Sequence, residues 1–467
     1  MKSRLNIMTN SISLSSSEKE AIGLLSIGTF LEYFDLMLYV HMSVLLNDLF
    51  FPQSNPLIAK LLGAAAFCST FILRPFGGFV IGWIGDKIGR KSTIMITTSL
   101  MAISCITIAF TGTYKEIGIT ASIIIILCRM SQGFSSLGEV IGASLYLSEI
   151  MVSPKKHFAC GIIGLFSQIG GFLSLIIAFF ALTVNLNWRL AFLFGAGIAI
   201  IGLMARIRLR ETPDFIKLQR KINNKQINTL KNTNKSNDKI NFKSLVYCMA
   251  SIIIIPASIY VIYVYFNEIM KQNFSLSTEE IIEHNIKISF ITIILSGVVA
   301  FLTKKFHPIK ITIFFLSVFA ILLVFTPYLI ANTSNLLIIL LLQVLFFFPA
   351  ITLSGTLELS TWFSYFPVMK RFRLIATSYG IATAFSFLVT SFGLIYFSKY
   401  IGYYSLWVIF VPMLIGYSYS ISHLKQLEIK NGLYNKYPNN EKHIKNKNFH
   451  NNLENKNYKF NKNFEPL

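Results

Sequence analysis

Apolar runs long enough to cross a bilayer recur twelve times along the chain. They lie at about 21–46, 57–84, 93–112, 118–150, 157–182, 188–208, 244–267, 285–303, 308–330, 335–366, 373–398 and 402–424. A helix needs ~20 such residues to span the hydrocarbon, so the pattern predicts an all-α integral membrane protein with twelve transmembrane helices. The fourth and tenth runs are long enough to tilt or to overhang the membrane. The polar break at 209–243 divides six runs from six, which predicts two six-helix bundles at 21–208 and 244–424 joined by a basic linker. A Ser-rich segment at 1–20 precedes the first bundle, and an Asn- and Lys-rich tail at 425–467 follows the second. The first has no apolar core or small-residue cleavage site of the kind a removed signal needs. The tail has no sustained heptad, which predicts disorder or a loosely surface-bound segment rather than a coiled coil.

The charges between the runs test the count. Bases gather in every second connection: Lys87, Arg90 and Lys91; Lys155 and Lys156; the stretch from Arg206 to Lys243; Lys304, Lys305 and Lys310; Lys370, Arg371 and Arg373; and both ends of the chain. The alternate connections Asn47–Pro56, Asn185–Asn187 and Ala331–Asn335 have none, and Glu268–Glu283 is acidic on balance. Short loops rich in Lys and Arg stay in the cytoplasm. The alternation therefore predicts a multi-pass protein of the inner membrane with both termini cytoplasmic.

Composition agrees, with 54% hydrophobic residues, 13% charged residues and a mean hydropathy of +0.59. A soluble chain of this length does not carry that balance. The net charge of +21 raises the question of nucleic acid, but the basic tail has only scattered Tyr458, Phe460 and Phe464. Attraction to anionic lipid explains its charge more simply, so the expected partners are the bilayer, a small molecule and a proton, with no nucleic acid. Cysteines 68, 105, 128, 160 and 248 lie in or beside apolar runs without metal-ligand spacing, and they read as buried small hydrophobes. Gly85-Asp86-Lys87-Ile88-Gly89-Arg90-Lys91-Ser92 lacks phosphate-loop spacing and follows a membrane helix, so nothing supports ATP coupling. No nucleophile–base pair is evident, and the chain does not read as an enzyme.

Ionisable groups at membrane depth are costly and are functional candidates by default. Glu32 and Asp35 share a face of the first helix. Arg129 lies near mid-depth on the fourth, which runs in the opposite direction, so either acid is placed to pair with it. Arg74, Glu139, Glu149 and Glu358 are also intramembrane or interfacial, with Arg74 and Glu358 leaning to structural roles. Such groups either clamp helices together or exchange a proton as their pairing changes. Gln132 and Gln168 lie beside glycines, where a glutamine either bridges helices or lines a pocket. Tyr260, Tyr263 and Tyr379 either pack or form an aromatic cage for a quaternary ammonium.

Between the second and third runs the chain reads Gly82-Trp83-Ile84-Gly85-Asp86-Lys87-Ile88-Gly89-Arg90-Lys91. This resembles the cytoplasmic signature of the major facilitator superfamily, and glycines 78, 82 and 85 are expected to let the hairpin's two backbones approach. Further matches are Glu32-Tyr33-Phe34-Asp35, Phe71-Ile72-Leu73-Arg74-Pro75-Phe76-Gly77, Arg129 through Glu139, Tyr146 through Glu149, Trp188-Arg189, Arg210 through Phe215, and Phe366-Pro367 with Arg371 and Tyr379. Together they are similar to the metabolite:proton symporter branch, which includes proline/betaine, ketoglutarate, citrate and shikimate permeases. The resemblance implies the twelve-helix major facilitator fold and alternating access, driven by a proton gradient without a cofactor. It implies proton coupling at Glu32, Asp35 and Arg129 and an inner gate at Asp86, Arg90 and Glu149, while the residues themselves offer a candidate substrate pocket at Gln132, Gln168, Tyr260, Tyr263 and Tyr379. A proline- or betaine-like osmolyte is the expected cargo, with an organic acid as the alternative and a non-transporting receptor or osmosensor as a further one. The chain departs from the branch at Ser364 and Met369, and Lys304 stands where the second-half loop would carry Asp. The second half's inner gate is therefore expected to be weaker or differently built.

Overall fold

The computed structural model describes residues 14–52, 70–183, 187–216, 241–353 and 358–435, together with Gln219 and Tyr437. Among these residues the first half contains α1 (Ser16–His41), α2 (Arg74–Ile88), α3 (Arg90–Phe110), α4 (Ile119–Ile150), α5 (Lys155–Thr183) and α6 (Trp188–Arg206). The second half contains α7 (Phe242–Phe274), α8 (Thr278–Leu302), α9 (Pro308–Asn332), α10 (Leu336–Leu353), α11 (Arg371–Ile401) and α12 (Ser405–Lys430). Each of the twelve predicted runs overlaps one of these helices, and residues 57–69 of the second lie outside the described residues. Most of the linker and tail, and Cys68, lie outside the described residues.

Several helices outrun the apolar stretches that predict them. α1 starts at Ser16 because Ser15 and Glu18 form a reciprocal capping box, and α8 starts at Thr278 because Ser277 and Glu280 do the same. Hydropathy marks where a helix leaves hydrocarbon, whereas a cap marks where the backbone stops being helical. For that reason α12 continues to Lys430, past the expected start of the tail. α1 ends at His41, and a short helix, Ser43–Phe50, follows it. The tenth run divides into α10, a short helix at Leu359–Trp362 and a 3₁₀ turn at Phe363–Tyr365. α7 carries a π turn at Val261–Tyr265, a feature that concentrates at functional sites.

In the first half α1 packs on α5, α4 and α6, and α3 on α6 and α4; in the second, α7 packs on α11, α12 and α10. Across the halves α2 lies along α11 and α5 along α8. The glycines of α2 make the first of these seams possible. A Cβ at Gly78 would overlap the Ala376 carbonyl, and one at Gly82 the backbone of Arg373. This corrects the expectation that these glycines serve the α2–α3 hairpin: Gly78 and Gly82 face α11, and Gly85 faces Phe372 with Thr93. The hairpin itself is turned by Gly89 at φ 107°, a conformation that favours glycine. Large side chains such as Phe76, Trp83, Phe110, Phe314 and Phe392 point outward, forming the surface that hydrocarbon covers.

Candidate functional site

A cavity of about 70 Å³ lies between the halves, lined by α1, α2, α4 and α5 on one side and α7, α8, α10 and α11 on the other. Its polar wall is Glu32, Arg74, Ser136, Ser167, Gln168 and Ser289, and its aromatic wall includes Tyr33, Phe71, Tyr260, Tyr263, Phe347, Tyr379 and Phe387. Tyr33 of α1 and Tyr379 of α11 both stand on this wall, one from each half. A larger cavity, about 570 Å³, shares Val40, Phe71, Tyr260, Tyr263, Val264 and Phe387 with it and reaches exposed Glu268 and Lys271. The central space therefore communicates with the base-poor face.

Glu32 and Asp35 are both buried, at 3% and 2% exposure, and a turn apart they take different partners. The Arg74 Nη2 donates to Glu32 Oε1 at 3.5 Å. Arg129 Nη1 donates to Asp35 Oδ2 at 3.4 Å and to Gln132 Oε1 at 2.8 Å. Asp35 Oδ1 also accepts from Gln132 Nε2 at 2.8 Å and from the Cys105 thiol at 3.4 Å. The Arg129 guanidinium lies over the Tyr39 ring, 4.1 Å from its centroid. Of the expected pocket residues, Gln168, Tyr260, Tyr263 and Tyr379 line the cavity and Gln132 does not. Gln132 is taken up in bridging Arg129 to Asp35. Arg74, which leaned to a structural role, stands on the cavity wall.

On the basic face a polar network joins the two halves. Arg90 donates twice to Glu149, at 3.2 and 3.1 Å, and also to the carbonyls of Gly85 and Val368, each at 3.0 Å. Arg371 donates to the same Glu149 from the second half at 3.2 Å. Asp86 accepts from the Phe372 and Arg373 backbone N–H groups at 3.2 and 3.1 Å, placing a negative charge at the positive N-terminus of α11. Glu211 accepts from the N–H groups of Arg90 and Lys91, so the segment after α6 braces the clamp. Asp86, Arg90 and Glu149 thus form one cluster spanning the seam between halves. Replacing Glu149 by Gln removes the shared countercharge, a loss of ~1.5–3 kcal/mol for a charged hydrogen bond, so the closed population should fall about 10-fold or more. The check is maleimide labelling of Asn267→Cys in the larger cavity, with native cysteines replaced. Glu149→Gln should slow it, and an unchanged rate would remove Glu149 from the gate.

The second half closes differently. Lys304, where an Asp stands in the first-half pattern, lies over the rings of Phe158 and Phe301, 4.0 and 4.6 Å from their centroids. The nearby carboxylate is Glu428, which pairs with His307 Nε2 at 3.2 Å and accepts from Tyr365 at 2.6 Å. Sequence reasoning also missed Arg206, assigned there to the basic stretch. It is fully buried and donates to Glu139 at 2.7 Å, with Thr98 and the Leu24 carbonyl as further partners. Glu358, leaning structural, accepts from Tyr417 at 2.8 Å.

A two-bundle helical protein with a cavity between its halves, lined by both charged and aromatic side chains, and an ion-pair clamp at one end is built as a membrane transporter. The Major Facilitator Superfamily model matches residues 25–394, and the chain belongs to that superfamily. It is 27% identical over 376 residues to the proline/betaine transporter of Salmonella typhimurium, covering 78% of this chain and 75% of that one. To the glycine betaine/proline/ectoine/pipecolic acid transporter OusA of Dickeya dadantii it is 26% identical over 386 residues, covering 78% and 74%. The proton:xylose symporter XylE superposes with a TM-score of 0.72 over 88% of this chain and 95% of that one, at 15% identity. At that identity the likeness concerns the fold. The chain is a multi-pass secondary transporter for a small molecule.

Proposed function

We propose that this transporter is a proton symporter importing a small zwitterionic osmolyte, of the proline or betaine type, across the inner membrane by alternating access. The two halves rock about the central cavity, and the basic loops with both termini face the cytoplasm. The observation that carries the reading is the pair of weakly held intramembrane ion pairs on α1. Glu32–Arg74 and Asp35–Arg129 each have one long direct contact, at 3.5 and 3.4 Å, and the second is also bridged by Gln132. A buried salt bridge that serves stability alone needs good geometry and full hydrogen bonding, or its desolvation cost outweighs the attraction. A carboxylate that takes up a proton no longer needs its arginine, so protonation frees the pair to separate as the halves move. Asp35, enclosed with Arg129, is the proposed proton carrier, and Glu32, one turn away on the cavity wall, couples that event to the solute. The names of the relatives support the choice of cargo.

Reconstitution into liposomes tests it. With acid outside, proline and betaine should accumulate above equilibrium, and a protonophore should abolish the excess. Uptake indifferent to the gradient would sink the symport reading.

A further inference from the structure

The buried arginines of this protein fall into two kinds. Arg90 and Arg206 use every nitrogen of the guanidinium: Nε, Nη1 and Nη2 of each donate to carboxylates, hydroxyls or carbonyls. Arg74 and Arg129 do not. Among the described residues Arg74 Nε has no hydrogen-bond partner, nor have Arg129 Nε and Nη2. Arg129 is fully buried behind Tyr39 and away from the cavity lining. Arg74, 6% exposed, is part of the lining. Opposite it Glu32 Oε2 is also buried and without a partner. A buried charged group with unmatched hydrogen-bonding capacity is expensive unless something completes it.

We infer that Arg74 receives the carboxylate of the transported solute and that Glu32, with the tyrosines opposite, receives its cationic nitrogen. The inference rests on the zwitterion reading above and adds which residue reads which pole. A planar guanidinium matches a carboxylate with two parallel N–H donors. Its present neighbours offer it one oxygen at 3.5 Å and the face of Phe71, 5.0 Å from the ring centroid. A solute carboxylate completes it, and the nitrogen takes the place that Arg74 vacates beside Glu32. Tyr260, Tyr263 and Tyr379 line the same space; for a nitrogen that is fully methylated and cannot donate, their rings supply attraction through the π face. A dicarboxylate fails the arrangement, because its second anion would meet Glu32. Binding thus exchanges one ion pair inside the protein for two with the solute, and no buried charge is left alone.

The test is equilibrium binding to the purified full-length protein, using labelled proline and glycine betaine, with prolinamide and succinate as competitors. Prolinamide keeps the nitrogen and loses the anion; succinate has two anions and no cation. The wild type should bind proline about 100-fold more tightly than prolinamide, the size of a charged hydrogen-bonded contact, and should ignore succinate. Arg74→Gln should lose that preference, and Arg74→Lys should keep part of it. The double variant Arg74→Gln with Glu32→Gln leaves no buried charge unpaired and serves the same comparison where the single variant does not purify. If these Gln variants still prefer proline over prolinamide as strongly as the wild type, the carboxylate is read elsewhere and the inference is wrong. A wild type that binds succinate but neither zwitterion overturns the cargo reading instead.

Discussion

Arg206→Met should destabilise the first half by ~3–5 kcal/mol, the usual cost of removing one member of a buried ion pair. The carboxylate left behind is fully buried. Glu139 accepts from Arg206, from Thr98 at 2.5 Å and from Thr97 at 3.2 Å, and the guanidinium is the cation that faces it. The cluster joins α6 to α3 and α4, and Arg206 also donates to the Leu24 and Leu25 carbonyls of α1. Gly28 makes the room: a Cβ there would overlap both the guanidinium and the Glu139 carboxylate. Thermal unfolding of the detergent-solubilised protein, followed by fluorescence-detected size exclusion, is the measurement. Arg206→Met should shift the melt strongly downward. Arg206→Met with Glu139→Gln should recover most of the loss, since removing both partners leaves no unpaired charge. Equal stability of the single variant and the wild type would contradict a structural role for this pair.

The second large effect concerns transport. Asp35→Asn keeps the shape of the side chain, and with it the chance of accepting from Gln132, but it can neither bind nor release a proton. The variant should lose gradient-driven accumulation while still exchanging labelled for unlabelled solute, because exchange cycles the loaded protein without net proton movement. Counterflow and pH-driven uptake measured in the same liposomes separate the two. Normal accumulation by Asp35→Asn would take Asp35 out of the proton path. Loss of exchange as well would assign it to holding α1 against α4 through Arg129 and Gln132.

Much of the architecture was legible in the chain because a bilayer imposes it. Apolar length and the alternation of basic loops located all twelve helices, and the loop from Gly82 to Lys91 located one end of the passage. Partnership was less legible. Glu32 and Asp35 share a helix face, which suggested a common partner in Arg129, yet a turn of helix is enough to deliver them to Arg74 and Arg129 separately. Arg206 counted as one more base in a basic stretch, since hydropathy cannot say that a helix-terminal side chain turns inward. The spacing of Gly78 and Gly82 announced a close helix contact without naming α11 as the other helix. Gln132 bridges two charges and Gln168 lines the cavity, although their sequence surroundings are alike: both roles depend on which face of the helix meets which neighbour. In the second half the departures at Lys304, Ser364 and Met369 pointed to a different closure. The contacts of Lys304 with Phe158 and of Glu428 with His307 and Tyr365 needed the three-dimensional arrangement to be seen.

The central claim is that a solute and a proton cross together because α1 carries carboxylates whose pairing can change. The most direct measurement is the internal pH of proteoliposomes loaded with a pH dye, with no gradient imposed and the membrane potential clamped by potassium and valinomycin. Adding proline or betaine outside should acidify the lumen at a rate proportional to solute entry, and Asp35→Asn should abolish the acidification. Solute entering at the wild-type rate with no change in internal pH would contradict it.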